Sequence, residues 1–201
     1  MASELPQIGS EQSERADAAR NRRKVLEAAS RLFACHGAAN VSMDQIAAAA
    51  GVGKGTLFRR FGDRASLARA VLGANETALQ EQLIRGPAPL GPGAPPRERL
   101  IAFGRAYIDF LDRHRDLMAV AELGGTTGGR FASPPYAFYR THVRLLLEQA
   151  AVDGPLDFLA DVLLAPLSAA AYCYQRELRE LSADQLKDAY EDLIERIAGA
   201  S

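Results

Sequence analysis

The residues able to do chemistry crowd between positions 42 and 64. Ser42 and Gln45 stand at the spacing of a capping box, and Gly51-Val52-Gly53-Lys54-Gly55-Thr56 follows. Phe58, Arg59 and Arg60 come next and, beyond Gly62-Asp63, Arg64. A hydroxyl and open amides at a helix start suit a phosphate oxygen, a lysine reaches a phosphate or a guanine, and a threonine offers a hydroxyl and a methyl to a base edge. Gly55 lets its backbone approach a partner surface closely. Residues 15–64 carry ten basic and four acidic side chains, a local charge of +6, against −3 over residues 1–14 and −4 over residues 65–201. The net charge of −1 for the 201-residue chain hides that segregation, which is what one module facing a polyanion requires.

Other chemistries fit poorly. The run at 51–56 is not a nucleotide loop, because position 48 is Ala, Lys54 is followed by Gly55, and a helix rather than a strand precedes it. His36, His114 and His142 have no metal spacing with one another or with Cys35 and Cys173. No nucleophile–base–acid set or carboxylate pair stands out, so neither an enzyme nor a metal or other cofactor is expected. With 48% hydrophobic and 24% charged residues the chain is neither disordered nor a disulfide scaffold, and two cysteines suit a reducing, cytoplasmic setting. The first residues do not read as a signal peptide, and each apolar stretch is interrupted before the ~18 residues a membrane helix needs.

The elements that must position these residues are helices. Ala, Leu, Glu and Arg dominate, alternating β-branched runs are missing, and an all-α fold of about nine helices is expected. Val25, Ala28, Ala29, Leu32 and Phe33 form the stripe of a helix over 17–36, stopped by Gly37. Ser42 with Gln45, and Val41 with Ile46, start a short helix that ends at Gly51. A second short helix runs from Lys54 to Arg60, with Leu57 and Phe61 turned inward. Asp63 caps a longer helix over 64–84. Two short helices joined by a glycine turn inside a basic segment make a helix-turn-helix, whose second member enters a major groove about 12 Å wide and so needs slim leading residues.

Residues 25–71 resemble the DNA-binding domain of the TetR family of bacterial transcriptional regulators. Ala28-Ala29, Leu32-Phe33, Gly37, Ile46-Ala47, Ala50-Gly51-Val52, Lys54-Gly55-Thr56-Leu57, Phe61, Arg64 and Leu67 stand in register. The resemblance implies an all-helical homodimer that binds operator DNA and responds to a small-molecule effector in its C-terminal domain. It also places Gly53, Lys54, Gly55 and Thr56 at the bases, and Ser42, Phe58, Arg60 and Arg64 at the phosphates. The family commonly carries Tyr where this chain has Phe58; the missing hydroxyl forfeits about 0.5–1.5 kcal/mol, for which Arg59 and Arg60 can compensate.

Beyond the Pro/Gly-rich stretch 85–96, Leu100, Phe103, Tyr107, Phe110 and Leu111 mark one helix, with a shorter one to Leu123. The glycine-rich segment 124–135 is a loop, and a further helix covers 136–151. Next comes a helix from Pro155 to Leu181 kinked at Pro166, then a last one opened by Ser182 and Gln185. Most aromatics of this half serve the core; Phe103, Tyr107, Phe110, Phe138, Tyr139 and Tyr172 are the candidates for an effector pocket. The nearly all-apolar run 155–174, with Leu186, Tyr190, Leu193 and Ile197, suits a four-helix dimer interface over about 156–198. The expected organisation is a disordered arm over 1–16, a DNA-binding domain over 17–66 and a ligand-binding and dimerisation domain over 67–201. The function expected is a repressor released from palindromic double-stranded operator DNA by its effector; the alternative is a ligand-independent regulator or activator using the same DNA-binding domain.

Overall fold

A computed structural model describes residues 8–122, 131 and 133–199. Among them the chain is all helical, as the composition requires, with no strand. The order is α1 (Ile8–His36), a 3-10 turn (Ala38–Asn40), α2 (Met43–Ala50), α3 (Lys54–Phe61), α4 (Arg64–Arg85), α5 (Pro96–Glu122) and α6 (Pro134–Gln149). Then follow α7 (Leu156–Leu164), α8 (Ala169–Cys173) with a π turn (Tyr174–Leu178), and α9 (Ala183–Ala198).

Two apolar cores organise these helices. In the first, Val25, Ala29 and Phe33 of α1 meet Ile46 and Ala47 of α2, Leu57 and Phe61 of α3, and Leu67, Ala68 and Val71 of α4. The second is built around α5, where Leu100, Phe103, Tyr107 and Leu111 pack against Leu79 and Leu83 of α4, Tyr139, Val143 and Leu147 of α6, Leu163 of α7, and Leu186, Tyr190 and Ile194 of α9. The first core also takes Leu117 and Val120 from the far end of α5. The long helices α4 and α5 are therefore antiparallel and each belongs to both cores, so the boundary expected at 66/67 falls within α4.

The sequence expectations need three corrections. Helix α1 starts at Ile8, so the second half of the expected disordered arm is helical; Glu11, Gln12, Glu14, Arg15 and Ala16 are good helix formers, and acids near an N-terminus favour the helix dipole. Residues 1–7 lie outside the described residues, as does most of the glycine-rich segment expected as a loop over 124–135. The two helices expected between 97 and 123 are one continuous α5. The helix expected over 155–181 is broken rather than kinked: α7 ends at Leu164, α8 starts at Ala169, and the two directions differ by 47°. Pro166 has no N–H for the carbonyl four residues back and its ring crowds that carbonyl. Ser168 then caps the restart, accepting from the Ala171 amide at 3.1 Å. No single helix among the described residues is long and apolar enough to cross a membrane.

Candidate nucleic-acid interface

The local start and stop signals in the sequence build the helix-turn-helix. Ser42 caps α2: its Oγ accepts from the Gln45 amide at 3.2 Å, while the Gln45 side-chain carbonyl accepts from the Ser42 amide at 2.8 Å. Gly51 ends α2 in the left-handed conformation at φ 64°, and the Val52 amide closes back onto the Ala47 carbonyl at 3.0 Å. The turn delivers Gly53 as the cap of α3, and with no side chain there the first amides of α3 have no internal side-chain acceptor. Leu57 and Phe61 are buried beneath α3, whereas Gly53, Lys54, Gly55, Thr56, Phe58, Arg59 and Arg60 all face solvent. α3 is thus a basic, slim-headed helix presented outward on a rigid base.

The cations of this face are held in place from within. Lys54 Nζ donates to Asp44 Oδ2 at 2.7 Å and lies 5.9 Å from the Phe58 ring centroid. Arg60 donates to the Ala18 carbonyl of α1 at 2.8 Å, and Arg64, half-buried at the head of α4, donates to the Ala39 carbonyl at 2.6 Å. Arg22 of α1 sits over the Phe61 ring at 5.6 Å. Arg59 has no such tie among the described residues. Phe58 is 41% exposed and supplies no hydroxyl. Asp63 caps α4 by accepting from the Ser66 amide at 2.7 Å, and that bond holds its carboxyl below the ordinary range. A cleft between α1 and α3 is lined by Asp17, Asn21, Thr56, Arg59 and Arg60. Sequence reasoning missed Asn21 and Asp44. Asn21 has a signal in hindsight, sharing the flank of α1 that carries Ala18; Asp44 has none, being ten residues from the lysine it meets.

The effector candidates are only partly brought together. Phe103, Tyr107, Phe110, Phe138 and Tyr139 form one ring-packed cluster, with Tyr107 and Tyr139 edge-to-face at 5.0 Å and Phe138 and Tyr139 at 5.5 Å. Burial raises the Tyr139 phenol far above its ordinary value. His142 joins this cluster, stacked on Phe138, and burial followed by the nearby Arg99 charge holds its imidazole down to about 4. Tyr172 lies apart: its hydroxyl donates to Asp112 Oδ1 at 2.6 Å, and its ring lines a crevice of about 90 Å³ with Ile108 and Tyr190. A larger cavity of about 800 Å³ opens between α6, α7 and α8, lined by Phe131, Tyr136, Arg140, Thr141, Asp161 and Ser168. There Tyr136 and Arg140 both donate to Asp161 Oδ1, at 2.7 and 2.9 Å. No group of three or more His, Cys, Asp or Glu side chains among the described residues is placed to hold a metal ion.

An all-helical chain that presents a basic helix-turn-helix from one core and carries a second, larger helical core is a DNA-binding transcriptional regulator in class. Residues 25–71 match the model of the bacterial regulatory proteins of the tetR family. An HTH-type transcriptional regulator of Staphylococcus aureus (strain bovine RF122 / ET3-1) is 27% identical over 189 residues, covering 90% of this chain and 98% of the relative. The fold is shared with a TetR-family regulator from Pectobacterium atrosepticum, at TM-score 0.71 and 24% identity over 91% of this chain and 96% of the other. It is shared too with NalD of Pseudomonas aeruginosa, described as the secondary repressor of the MexAB-OprM multidrug efflux pump, at TM-score 0.55 and 20% identity over 90% and 96%. Residues 25–71 therefore carry a DNA-binding domain of the tetR-family type, in a chain that resembles these regulators along its length.

Proposed function

We propose that the protein is a repressor that binds palindromic operator DNA as a homodimer and is released by a small-molecule effector. The observation carrying the DNA-binding part is α3: Thr56 and the Gly53–Gly55 backbone lead it, Lys54, Arg59 and Arg60 flank it, and Leu57 and Phe61 anchor it. Thr56 and the glycine backbone read bases; Ser42, Phe58, Arg59, Arg60 and Arg64 lie along the phosphates, and Lys54 reaches either. Dimerisation runs through α7 to α9 (about 156–198), where Phe158 is 64% and Leu178 70% exposed and Tyr174 is exposed beside them. Apolar side chains that size are seldom left to water in a contiguous region. A two-fold axis there sets two α3 helices about 34–36 Å apart, in successive major grooves. The effector part is supported by the aromatic cluster and the adjoining α6–α8 cavity, and the repressor part by the likeness to NalD. We place the DNA-binding domain at 17–66 and the ligand-binding and dimerisation domain at 67–201, in a cytoplasmic setting.

The experiment is capture of genomic fragments by the purified protein, followed by affinity for the recovered duplex as salt is raised. The expected log–log slope is about −0.9 per phosphate neutralised. Thr56→Ala is expected to change sequence preference and Arg64→Ala to weaken all duplexes alike. A salt-independent interaction, or capture of no defined sequence, would falsify the DNA-binding reading. A reporter that rises when the protein is supplied overturns repression in favour of activation, and a crosslinked fixed-spacing dimer still released by effector overturns the spacing mechanism.

A further inference from the structure

We propose that the groove between α1 and α4 is a second ligand site, built for an amphipathic anion: one acidic head on a slender apolar body. On α1, Arg22, Arg23, Leu26 and Arg31 share the flank facing Val71, Ala74 and Asn75 of α4, and together they line a cavity of about 530 Å³. That size falls within the range of about 300–1,000 Å³ usual for small-molecule sites. The floor is apolar: Val71 is buried, Leu26 half-buried, and Ala74 too small to close the space. The rim is cationic. Arg23 and Arg31, eight residues apart on α1, stand about 12 Å from one another along the helix, and among the described residues Glu27 is the one carboxylate lining the groove.

The charge of this rim is not taken up by carboxylates of the described residues. In the second core Arg97, Arg105, Arg140, Arg144 and Arg176 each meet a carboxylate. Arg23 and Arg31 are exposed and meet none among the described residues. A carboxylate, sulfonate or phosphate monoester gains charge-assisted hydrogen bonds from them while its apolar part covers Leu26 and Val71. Duplex DNA is a poor occupant, because α3 lies against the other flank of α1, where Asn21 shares a cleft with Thr56 and Arg59. The site is also distinct from the effector cavity in the C-terminal domain. Both of its walls contribute to the first core, so an occupant fixes the spacing of α1 and α4 directly.

The test uses the full chain and dodecanoate, below its micellar concentration, followed by titration calorimetry, with dodecanol as the uncharged comparison. Dodecanoate is expected to bind at least tenfold more tightly than dodecanol. Ala74→Phe fills the floor from an exposed position, and Arg23→Gln with Arg31→Gln removes the rim charge. Each is expected to weaken dodecanoate at least tenfold, with helicity by circular dichroism unchanged. No dodecanoate binding, equal affinity for the alcohol, or affinities within twofold of the parent in both variants would overturn the site. Because none of these residues lines the α6–α8 cavity or the recognition face, failure here leaves the repressor reading standing, and failure of effector release leaves this one standing.

Discussion

Gly55 has no internal reason to be glycine. A Cβ there would have nothing within 4 Å, its φ is not in the left-handed region, and it sits inside a helix where glycine costs about 0.5–1 kcal/mol relative to Ala. Gly55→Ala is therefore expected to raise the unfolding free energy by up to about 1 kcal/mol in urea titration while weakening operator binding. A variant equally stable and equally tight on DNA refutes the close-approach role. His142 makes the second residue-scale prediction. Its folded value of about 4 lies below the unfolded 6.5, so the unfolded chain binds more protons in that window. Its contribution is complete above 6.5 and is lost as pH falls toward 4; melting temperatures of His142→Phe should decline less steeply than those of the parent over that interval. The outward-facing residues of α3 were legible in the sequence, because burial follows helix periodicity. The ties of Lys54 to Asp44, Arg60 to Ala18 and Arg64 to Ala39 were not, since they join residues 10, 42 and 25 positions apart.

Helix starts were the most legible elements. Both capping boxes, Ser42 with Gln45 and Ser182 with Gln185, form as their spacing dictates, because the whole signal lies within four residues. The continuity of α5 was hidden by Asp112-Arg113-His114-Arg115-Asp116, five polar residues that interrupt its apolar stripe. The structure shows why the stripe lapses there: α5 is passing from one core to the other, while Asp112 is engaged by Tyr172 and Arg176. Where α5 crosses α9 the helices approach closely at Gly104, and a methyl group there would overlap the Tyr190 ring. Gly104→Ala is thus expected to destabilise, overpacking of about 1–3 kcal/mol outweighing the propensity gain of about 1 kcal/mol. A midpoint in urea at or above that of the parent would show that α9 can shift at little cost.

At the scale of the molecule, the charge balance and the two-core plan follow from sequence composition and punctuation, but their connection does not. The Pro/Gly-rich stretch at 86–95 marks where the chain reverses between α4 and α5, not where one core ends, because both helices contribute to both cores. Heating is accordingly expected to give one calorimetric transition with equal calorimetric and van't Hoff enthalpies; two resolved transitions would show that the cores are separable. The same arrangement limits how such a protein can be recombined. A DNA-binding module excised after residue 66 leaves behind Leu67, Ala68 and Val71 and also Leu117 and Val120, fifty residues downstream. Grafting this headpiece onto another regulator therefore means transplanting two separate stretches of chain, and a chimera joined at a single seam inherits a headpiece missing part of its own interior.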